Sequence, residues 1–281
     1  MTVFFEILKA ILFGIVEGVT EWLPVSSTGH IILLDEFIHL KGSEEFLSMF
    51  NVVIQLGAII AVIVLFFQKL NPFDKQKNEK QKMMTWSLWF KVCAAIIPSG
   101  LLGVLFDDWM EDHLHKGIPV AIALIVYGIA FIWVERRNAG RQPKVKNVHA
   151  IDMKTALLIG CFQCLSLIPG TSRSGSTILG AILLGVGRSA GAEFSFFMAI
   201  PTMVGASAIK GLKFLVSGVG ITGLEFGVLV VGCVVSFIVS LIVIKALMEY
   251  VRKHSFASFG YYRIGLGAVV LIYLLIKAIV A

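Results

Sequence analysis

Charged residues are scarce in this sequence. Asp, Glu, Lys and Arg make up 15% of its 281 residues, whereas a soluble domain carries roughly 25%. The mean hydropathy is +0.89, and apolar runs close to the ~20 residues that span a bilayer recur along the chain. The clearest runs are residues 52–67, 118–134, 227–246 and 264–279. This composition excludes a soluble globular domain and predicts an integral membrane protein that crosses the bilayer several times.

Cysteine is also rare, and the positions of its four copies argue against metal or redox chemistry. All four lie in apolar segments, and the pair Cys161 and Cys164 has no second Cys or His pair with which to bind zinc. We expect reduced cysteines packed as small apolar residues. The N-terminus lacks the basic start and cleavage site of a secretory signal, so we interpret residue 1 as part of the mature protein.

The net charge of +6 is concentrated in a few segments between apolar runs. The basic segments are residues 69–91, 136–154 and 252–263, and the acidic ones lie near residues 44–45 and 107–112. Basic loops mark the cytoplasmic side of a membrane protein, so this pattern indicates orientation and we expect no nucleic-acid partner. We interpret the acidic run 107–112 as a solvated outer loop, although it resembles the Asp-rich motif of prenyl synthases.

The chain reads as two copies of one plan. Residues 10–33 and 156–179 each begin with an apolar helix that has a glycine at the fifth position. In each segment a proline begins the pattern Pro-x-Ser/Thr-Ser, and a second apolar helix follows. In this alignment Ser26 pairs with Thr171 and Ser27 with Ser172. A helix led by Phe follows in each half.

Backbone broken at membrane depth survives only where protein or a water-filled cavity satisfies it. We therefore predict that each proline motif is a re-entrant helix–loop–helix and that each half adds three crossings. The predicted fold is an all-α polytopic membrane protein with repeats at about 1–135 and 152–281, joined by a basic segment at about 136–151. Because three is odd, the halves have opposite orientation, both termini lie outside, and a site is expected near the midplane between the repeats.

Two carboxylates precede the first proline. Glu17 and Glu21 are four residues apart in an apolar helix, so they share one face. Ionisable groups at such depth are costly and are candidates for function. Together they could bind Mg²⁺ or Ca²⁺, and one could act as general base. The alternative is an interfacial helix end with both acids solvated.

Hydroxyl groups crowd both restarted helices. Ser26, Ser27, Thr28 and His30 follow the first proline, where a helix N-terminus can bind a phosphate. Single hydroxyls there are ordinary N-caps, and a lone His is more often structural. The second motif adds Arg173, which suits forked phosphate recognition, although a structural pair with a Glu is the alternative. If the motifs meet, their groups indicate phosphoryl transfer better than ion conduction.

The segments EGVTEWLPVSSTGH (residues 17–30) and PGTSRSG (169–175) closely resemble the two signatures of the bacterial undecaprenyl-diphosphate phosphatase family, also called bacitracin-resistance proteins. FNVVIQLGAI (50–59) and FSFFMAIP (194–201) extend the likeness over essentially the whole chain. The resemblance implies removal of the terminal phosphate from a C55 prenyl diphosphate, at the outer side of the bacterial plasma membrane. It also implies recycling of the lipid carrier for cell-wall synthesis and resistance to bacitracin.

The resemblance implies roles for particular residues and for a divalent cation, Mg²⁺ or Ca²⁺, bound by Glu17 and Glu21. The implied catalytic residues are Glu17, Glu21, Ser27, His30 and Arg173. The hydroxyls expected to contact phosphate are Ser26, Thr28, Thr171, Ser172, Ser174 and Thr177.

Several alternatives remain open at the level of sequence. Ser27 is favoured as the nucleophile, but Ser26, His30 and an activated water compete with it. The rival function is a prenyl-phosphate flippase or an anion transporter, because inverted repeats are a transporter feature. The expected partners are the C55 lipid and membrane lipids, and a second copy of the chain is kept as a candidate partner.

Overall fold

The computed structural model describes residues 2–114 and 116–280, and the regular elements of this part of the chain are helices, apart from one isolated β-bridge between Val145 and Val186. Two 3₁₀ turns, Val148–Ala150 and Leu165–Leu167, interrupt the series of α-helices. The α-helices are α1 (Thr2–Thr20), α2 (Ser27–Asp35), α3 (Glu44–Leu65), α4 (Phe67–Leu70), α5 (Glu79–Leu114), α6 (Gly117–Asn138), α7 (Met153–Cys164), α8 (Arg173–Leu183), α9 (Arg188–Val216), α10 (Gly223–Lys253) and α11 (Ala257–Val280).

Within the described residues, six helices are long and apolar enough to cross a membrane: α3, α5, α6, α9, α10 and α11. Each of the four apolar runs singled out in the sequence lies largely within one of them. Large apolar side chains are also exposed along these helices, for example Phe90, Leu105 and Ile242. An extended apolar surface of this kind is suited to lipid rather than to water, so the chain is a multi-pass all-α membrane protein.

The two proline motifs interrupt helices as predicted. After α1 ends at Thr20 the chain turns through Pro24 and restarts as α2, which has nine residues. After α7 and its 3₁₀ turn, the chain passes Pro169 and restarts as α8, which has eleven. A proline has no N–H for the helical ladder, which is consistent with a break at each motif, although Pro98 in α5 and Pro201 in α9 lie inside continuous helices. Both restarted helices are shorter than the ~20 residues of a full crossing.

The two restarts have the same backbone geometry. Ser26 (φ 75°) and Ser172 (φ 73°) are N-caps in the left-handed region, and their side chains accept from the backbone N–H groups of Gly29 and Gly175. The alignment in the sequence was therefore wrong by one residue, because the first motif has one residue between Pro and cap and the second has two. In the structure, Ser27 corresponds to Arg173.

Helices at matching positions in the two halves pack against matching partners. α1 packs along α10, and α7 packs along α5. In the same way α3 packs on α10 and α9 packs on α5, while α3 also contacts α9 and α6 contacts α11. The halves therefore interlock, and the buried core lies between them.

Glycines allow the closest of these helix contacts. A Cβ added at Gly14 would lie 2.7 Å from the backbone oxygen of Gly232 in α10, and one at Gly18 would lie 2.8 Å from that of Ser236. At Gly160 in α7 an added Cβ would lie only 1.9 Å from the backbone oxygen of Ala95 in α5. Small residues let helix backbones approach in this way, so Gly14 in the first half of the chain and Gly160 in the second have the same structural role.

The basic segments come together at one end of the molecule. Lys69 donates to Glu193 at 2.7 Å, which ties the end of α3 and α4 to the start of α9. Arg188 pairs with the buried Glu135, and that carboxylate also accepts the Phe256 N–H between α10 and α11 at 3.0 Å. We name this side the basic end.

Several predicted boundaries were wrong. The basic loops at 69–91 and 252–263 are shorter than expected, because most of their predicted residues extend the flanking helices, whereas most of the segment 136–154 lies between helices α6 and α7. Arg263 was assigned to a loop but lies in α11 with its side chain fully buried. The acidic run 107–112 is part of helix α5 rather than a loop; the prediction that its Asp107, Asp108, Glu111 and Asp112 side chains are solvated lies outside the described residues.

The cysteines are free in the described part of the chain, as expected. Cys93 and Cys161, however, are exposed on the outer surfaces of α5 and α7 rather than packed inside. Lipid provides an apolar environment there, so an apolar sequence context did not imply burial within the protein.

The close contact at Gly160 can be tested with a matched pair of substitutions. Gly160→Val should lower the free energy of unfolding by about 1–3 kcal/mol, because the added atoms overlap the α5 backbone. Gly205→Val in α9 is the control, since an added Cβ there meets no described atom within 4 Å. Thermal unfolding in detergent measures both, and equal midpoints for the two variants would contradict the packing described.

Candidate active site

The first proline motif brings a carboxylate and a hydroxyl together. The helical hydrogen-bond pattern of α1 continues to Glu21, whose N–H donates to the Glu17 carbonyl at 3.0 Å. The chain then turns back so that Ser27, the first residue of α2, faces the end of α1. The Ser27 hydroxyl donates to Glu21 Oε2 at 2.5 Å, and both side chains are buried.

The second proline motif completes this site from the other half of the chain. Arg173, the first residue of α8, donates from Nη2 to Glu21 Oε1 at 2.9 Å. Its Nη1 donates to the Ser195 carbonyl at 2.7 Å and lies 3.2 Å from the Ser195 hydroxyl. The guanidinium carbon also lies 5.7 Å from the centre of the Trp22 ring. The two motifs thus form one polar cluster, as the sequence predicted for the case that they meet.

The pair between Glu21 and Arg173 is almost completely removed from solvent, with side chains 5% and 10% exposed. Removing one partner of a buried ion pair typically costs about 3–5 kcal/mol, because the other charge is left uncompensated. Glu21 is the centre of the cluster, since its two oxygens accept from Ser27 and Arg173 respectively.

Glu17 lies beside Glu21 and is buried even more deeply, with 1% of its surface exposed. Among the described residues, its Oε1 has no hydrogen-bond partner, and its carboxyl group interacts electrostatically with that of Glu21. Two neighbouring carboxylates in a buried site need a proton or a cation between them. The described residues contain no group of three or more His, Cys, Asp and Glu side chains suited to a metal, so a cation here would also need oxygens from a ligand.

Most of the hydroxyls expected to contact phosphate bond to the protein itself. Ser174 donates to the Glu21 carbonyl at 3.1 Å, and Thr177 lies 2.6 Å from the Ser195 hydroxyl. Thr171 Oγ1 donates to carbonyls of its own turn. Ser26 and Ser172 are the N-caps, and Thr28 is exposed. Their geometry supports the loops, and their contact with phosphate stays a prediction.

Neither ring nitrogen of His30 bonds to the Ser27 hydroxyl in the described structure. Its Nδ1 lies 2.7 Å from the Ser26 carbonyl, and its Nε2 lies 2.7 Å from the hydroxyl of Tyr262 in α11, on which the ring also stacks. A carbonyl can only accept, so Nδ1 donates, and in the neutral ring Nε2 accepts from Tyr262. In this arrangement Glu21, and not His30, is the base within reach of Ser27.

Sequence reasoning missed two residues that support the site. Ser195 holds Arg173 through both its carbonyl and its hydroxyl. Arg263 donates to the Pro24 carbonyl at 3.0 Å and to the Gly170 carbonyl at 2.7 Å, so one side chain bridges both proline loops. Nothing in the sequence singled out Ser195, because a serine in an apolar helix is common. Arg263 could have been recognised, because it is a charged residue that directly precedes the apolar run 264–279.

Arg263 should stabilise the arrangement of the two loops. Arg263→Met leaves two buried carbonyls without donors, each of which costs about 1–3 kcal/mol, so we expect a clearly lowered unfolding temperature. Arg252→Met in α10 is the control, because Arg252 is exposed at the basic end. Thermal unfolding in detergent provides the measurement, and equal unfolding temperatures for the two variants would show that the bridge does not support the loops.

Comparison with known proteins shows which family this chain resembles. The family model described as "Bacitracin resistance protein BacA" matches residues 10–269. A protein named undecaprenyl-diphosphatase from Streptococcus equi subsp. equi is 55% identical over 276 residues, covering 98% of this chain and 99% of the relative. Proteins with the same name from Streptococcus suis and Streptococcus mutans are 56% identical over 268 residues (95% of this chain, 96% of the relative) and 55% over 277 (98% and 99%). The chain therefore belongs to the BacA family of bacitracin resistance proteins.

Proposed function

We propose that this protein is an enzyme that hydrolyses undecaprenyl diphosphate to undecaprenyl phosphate and inorganic phosphate. The observation that carries the proposal is the contact of Ser27, Glu21 and Arg173, which places a hydroxyl, a base and a cation together in a buried site. Relatives that are about 55% identical carry the name undecaprenyl-diphosphatase, which supports this substrate. The activity recycles the lipid carrier for cell-wall synthesis, and the family description supports a role in bacitracin resistance.

Ser27 is the proposed nucleophile. Its oxygen forms a bond to the terminal phosphorus while the bond from that phosphorus to the bridging oxygen breaks, and the bridging oxygen leaves with the lipid. Glu21, 2.5 Å from the hydroxyl, takes the Ser27 proton. The proton then passes to the departing prenyl phosphate, which returns Glu21 to its carboxylate form.

Water completes the reaction in a second step. Its oxygen attacks the phosphoserine phosphorus, and Glu21 accepts one of its protons. When the bond from phosphorus to Ser27 breaks, the serine oxygen takes that proton from Glu21 and inorganic phosphate is released. One carboxylate therefore serves both steps, which is consistent with its position between the hydroxyl and the guanidinium.

Arg173 would stabilise the charge on the transferred phosphoryl group. Its fork of N–H donors matches phosphate oxygens, and Ser195 keeps one nitrogen fixed while the other is shared with Glu21. Ser27 and Arg173 are each the first residue of a short helix. The free N–H groups of both helix starts are suited to an anion as well.

His30 would contact the phosphate that stays with the lipid. It lies on α2 three residues after Ser27, so it shares a helix face with the nucleophile. Its ring is held between the Ser26 carbonyl and the Tyr262 hydroxyl, so contact with the phosphate would require Nε2 to exchange its bond to Tyr262 for one to a phosphate oxygen.

The donor set fits a divalent cation. Glu17 and Glu21 would hold it together with oxygens of the substrate, a combination of one or two carboxylates and phosphate that Mg²⁺ commonly uses. The unpartnered Glu17 Oε1 is the observation that supports this assignment. When bound, the cation would offset the charge of the diphosphate and the repulsion between the two carboxylates.

The proposed membrane arrangement has two inverted repeats, about 1–135 and 152–281, joined by the basic segment 136–151. Each repeat contributes a re-entrant pair, α1 with α2 and α7 with α8, and three crossings. The short restarted helices and the matching packing partners of the two halves support this arrangement. With the basic end in the cytoplasm, both termini lie outside a bacterial plasma membrane, and we place the opening of the site on that outer face.

The function is tested by phosphate release from undecaprenyl diphosphate by the purified protein, with and without a chelator. We expect release that stops on chelation and resumes when Mg²⁺ or Ca²⁺ is added. Glu17→Gln should lower kcat at least about a hundredfold, because it removes a charged oxygen from the cation site. A folded wild-type protein that releases no phosphate yet moves prenyl phosphate across liposomes would support the transporter instead, and full activity in chelator would remove the cation from the mechanism.

The nucleophile is tested by comparing two adjacent serines. Ser27→Ala should lower kcat at least about a thousandfold, since the attacking group is lost. Ser26→Ala removes an N-cap, which costs about 1 kcal/mol of stability, and at most one hydroxyl contact to the phosphate, so most of the activity should remain. Rapid quench of the wild type should trap phosphate on Ser27. If Ser27→Ala keeps most of its activity, or no phosphoserine is formed during turnover, water attacks the phosphorus directly.

A further inference from the structure

An apolar cleft of about 630 Å³ lies beside the site, between α10 and α11. These helices are consecutive in the chain but pack on different partners: α10 on α1 and α3, and α11 on α6. The gap between them is lined mostly by aliphatic and aromatic side chains, including Ala246 and Leu247 of α10 and Phe259 of α11. Ile242 at its edge is 66% exposed, so the cleft opens on the lipid-facing surface.

The cleft is continuous with the site at two points. Leu23 and Val25, which line it, belong to the turn that connects Glu21 to Ser27. Tyr262 also lines it, and its hydroxyl lies 2.7 Å from His30 Nε2. A molecule in the cleft would therefore contact the segment that positions the base and the nucleophile.

The far part of the cleft is near the basic end. Tyr250 and Ser258 line it there, on either side of the short connection between α10 and α11, and their hydroxyls lie 2.7 Å apart. The cleft therefore extends from the site toward the basic end, and its lining carries no charged side chain among the described residues.

We infer that this cleft binds the prenyl chain of the lipid diphosphate, with the diphosphate at Ser27 and the chain directed toward the basic end. The inference rests on the proposed function, because it takes the substrate from there. The chain must leave the buried site through an apolar path, and the cleft is an apolar cavity that shares residues with the site. It is also of a size typical of ligand pockets, about 300–1,000 Å³.

The cleft contributes by orienting the prenyl chain rather than by burying its apolar surface. A prenyl chain in the bilayer is already in an apolar solvent, so moving it into a protein cleft releases little hydrophobic free energy. Holding the chain along α10 and α11 instead fixes the direction from which the phosphorus meets Ser27, and such positioning affects turnover. Filling the cleft should therefore impair long-chain substrates and spare those without a chain long enough to enter it.

The matched variants are Ala246→Trp, which fills the cleft, and Val230→Trp, which lies on the exposed face of the same helix outside it. We expect Ala246→Trp to lower kcat/KM for the C55 diphosphate at least about tenfold and to change kcat/KM for isopentenyl diphosphate (C5) less than twofold. Val230→Trp should change neither value. Equal losses on both substrates, or no difference between the two variants on the C55 substrate, would overturn the inference.

A second measurement uses the unaltered protein. A prenyl diphosphate with a photoreactive group in its chain should label residues that line the cleft, such as Leu247 and Phe259, and excess C55 diphosphate should prevent the labelling. Labelling elsewhere, or labelling prevented equally well by phospholipid, would show that the cleft does not hold the substrate chain. A wild type that hydrolyses no lipid diphosphate would contradict the proposed function instead, so the two failures are distinguishable.

Discussion

The buried ion pair between Glu21 and Arg173 is the interaction on which the rest of this structure depends. It joins the two helix breaks, one from each half of the chain, in a region almost closed to solvent. A carboxylate in this position is tolerable only with compensation, which Arg173 supplies at one oxygen while the Ser27 hydroxyl donates to the other. The cost of burying the pair is offset by further contacts that fix the same loops, above all the Arg263 bridge between the Pro24 and Gly170 carbonyls.

Two segments with similar backbone conformation present different side chains to the site. Ser26 and Ser172 cap short helices with nearly the same positive φ, a conformation that costs a residue other than Gly roughly 1–2 kcal/mol. The next residue is a serine, Ser27, in one half and an arginine, Arg173, in the other. A repeated frame with different side chains at its matching positions thus aims a hydroxyl and a guanidinium at one carboxylate, although the two residues are far apart in the chain.

Much of this arrangement could be predicted from the sequence, because the dominant constraints are local. The shortage of charge indicated the membrane, the prolines indicated the helix breaks, and the spacing of Glu17 and Glu21 placed both on one face. Contacts between distant segments could not be read in the same way. The pairing of Ser27 with Glu21 instead of His30 depends on the turn at residues 21–25, and the role of Ser195 depends on how α9 packs. Arg263 was misplaced because a charge beside an apolar run usually ends a helix near the membrane surface, whereas this one satisfies two carbonyls inside the protein.

The most direct test of the account is a double-mutant cycle on Glu21 and Arg173, measured as free energies of unfolding for Glu21→Gln, Arg173→Gln and the double variant. The exposed pair of Glu79 and Lys82, treated in the same way, is the control. If the buried pair joins the two halves, we expect a coupling energy above about 1 kcal/mol for Glu21 and Arg173. For the control pair we expect at most about 0.5 kcal/mol. If the two substitutions are additive within about 0.3–0.5 kcal/mol, the helix breaks do not depend on each other and the central claim is wrong.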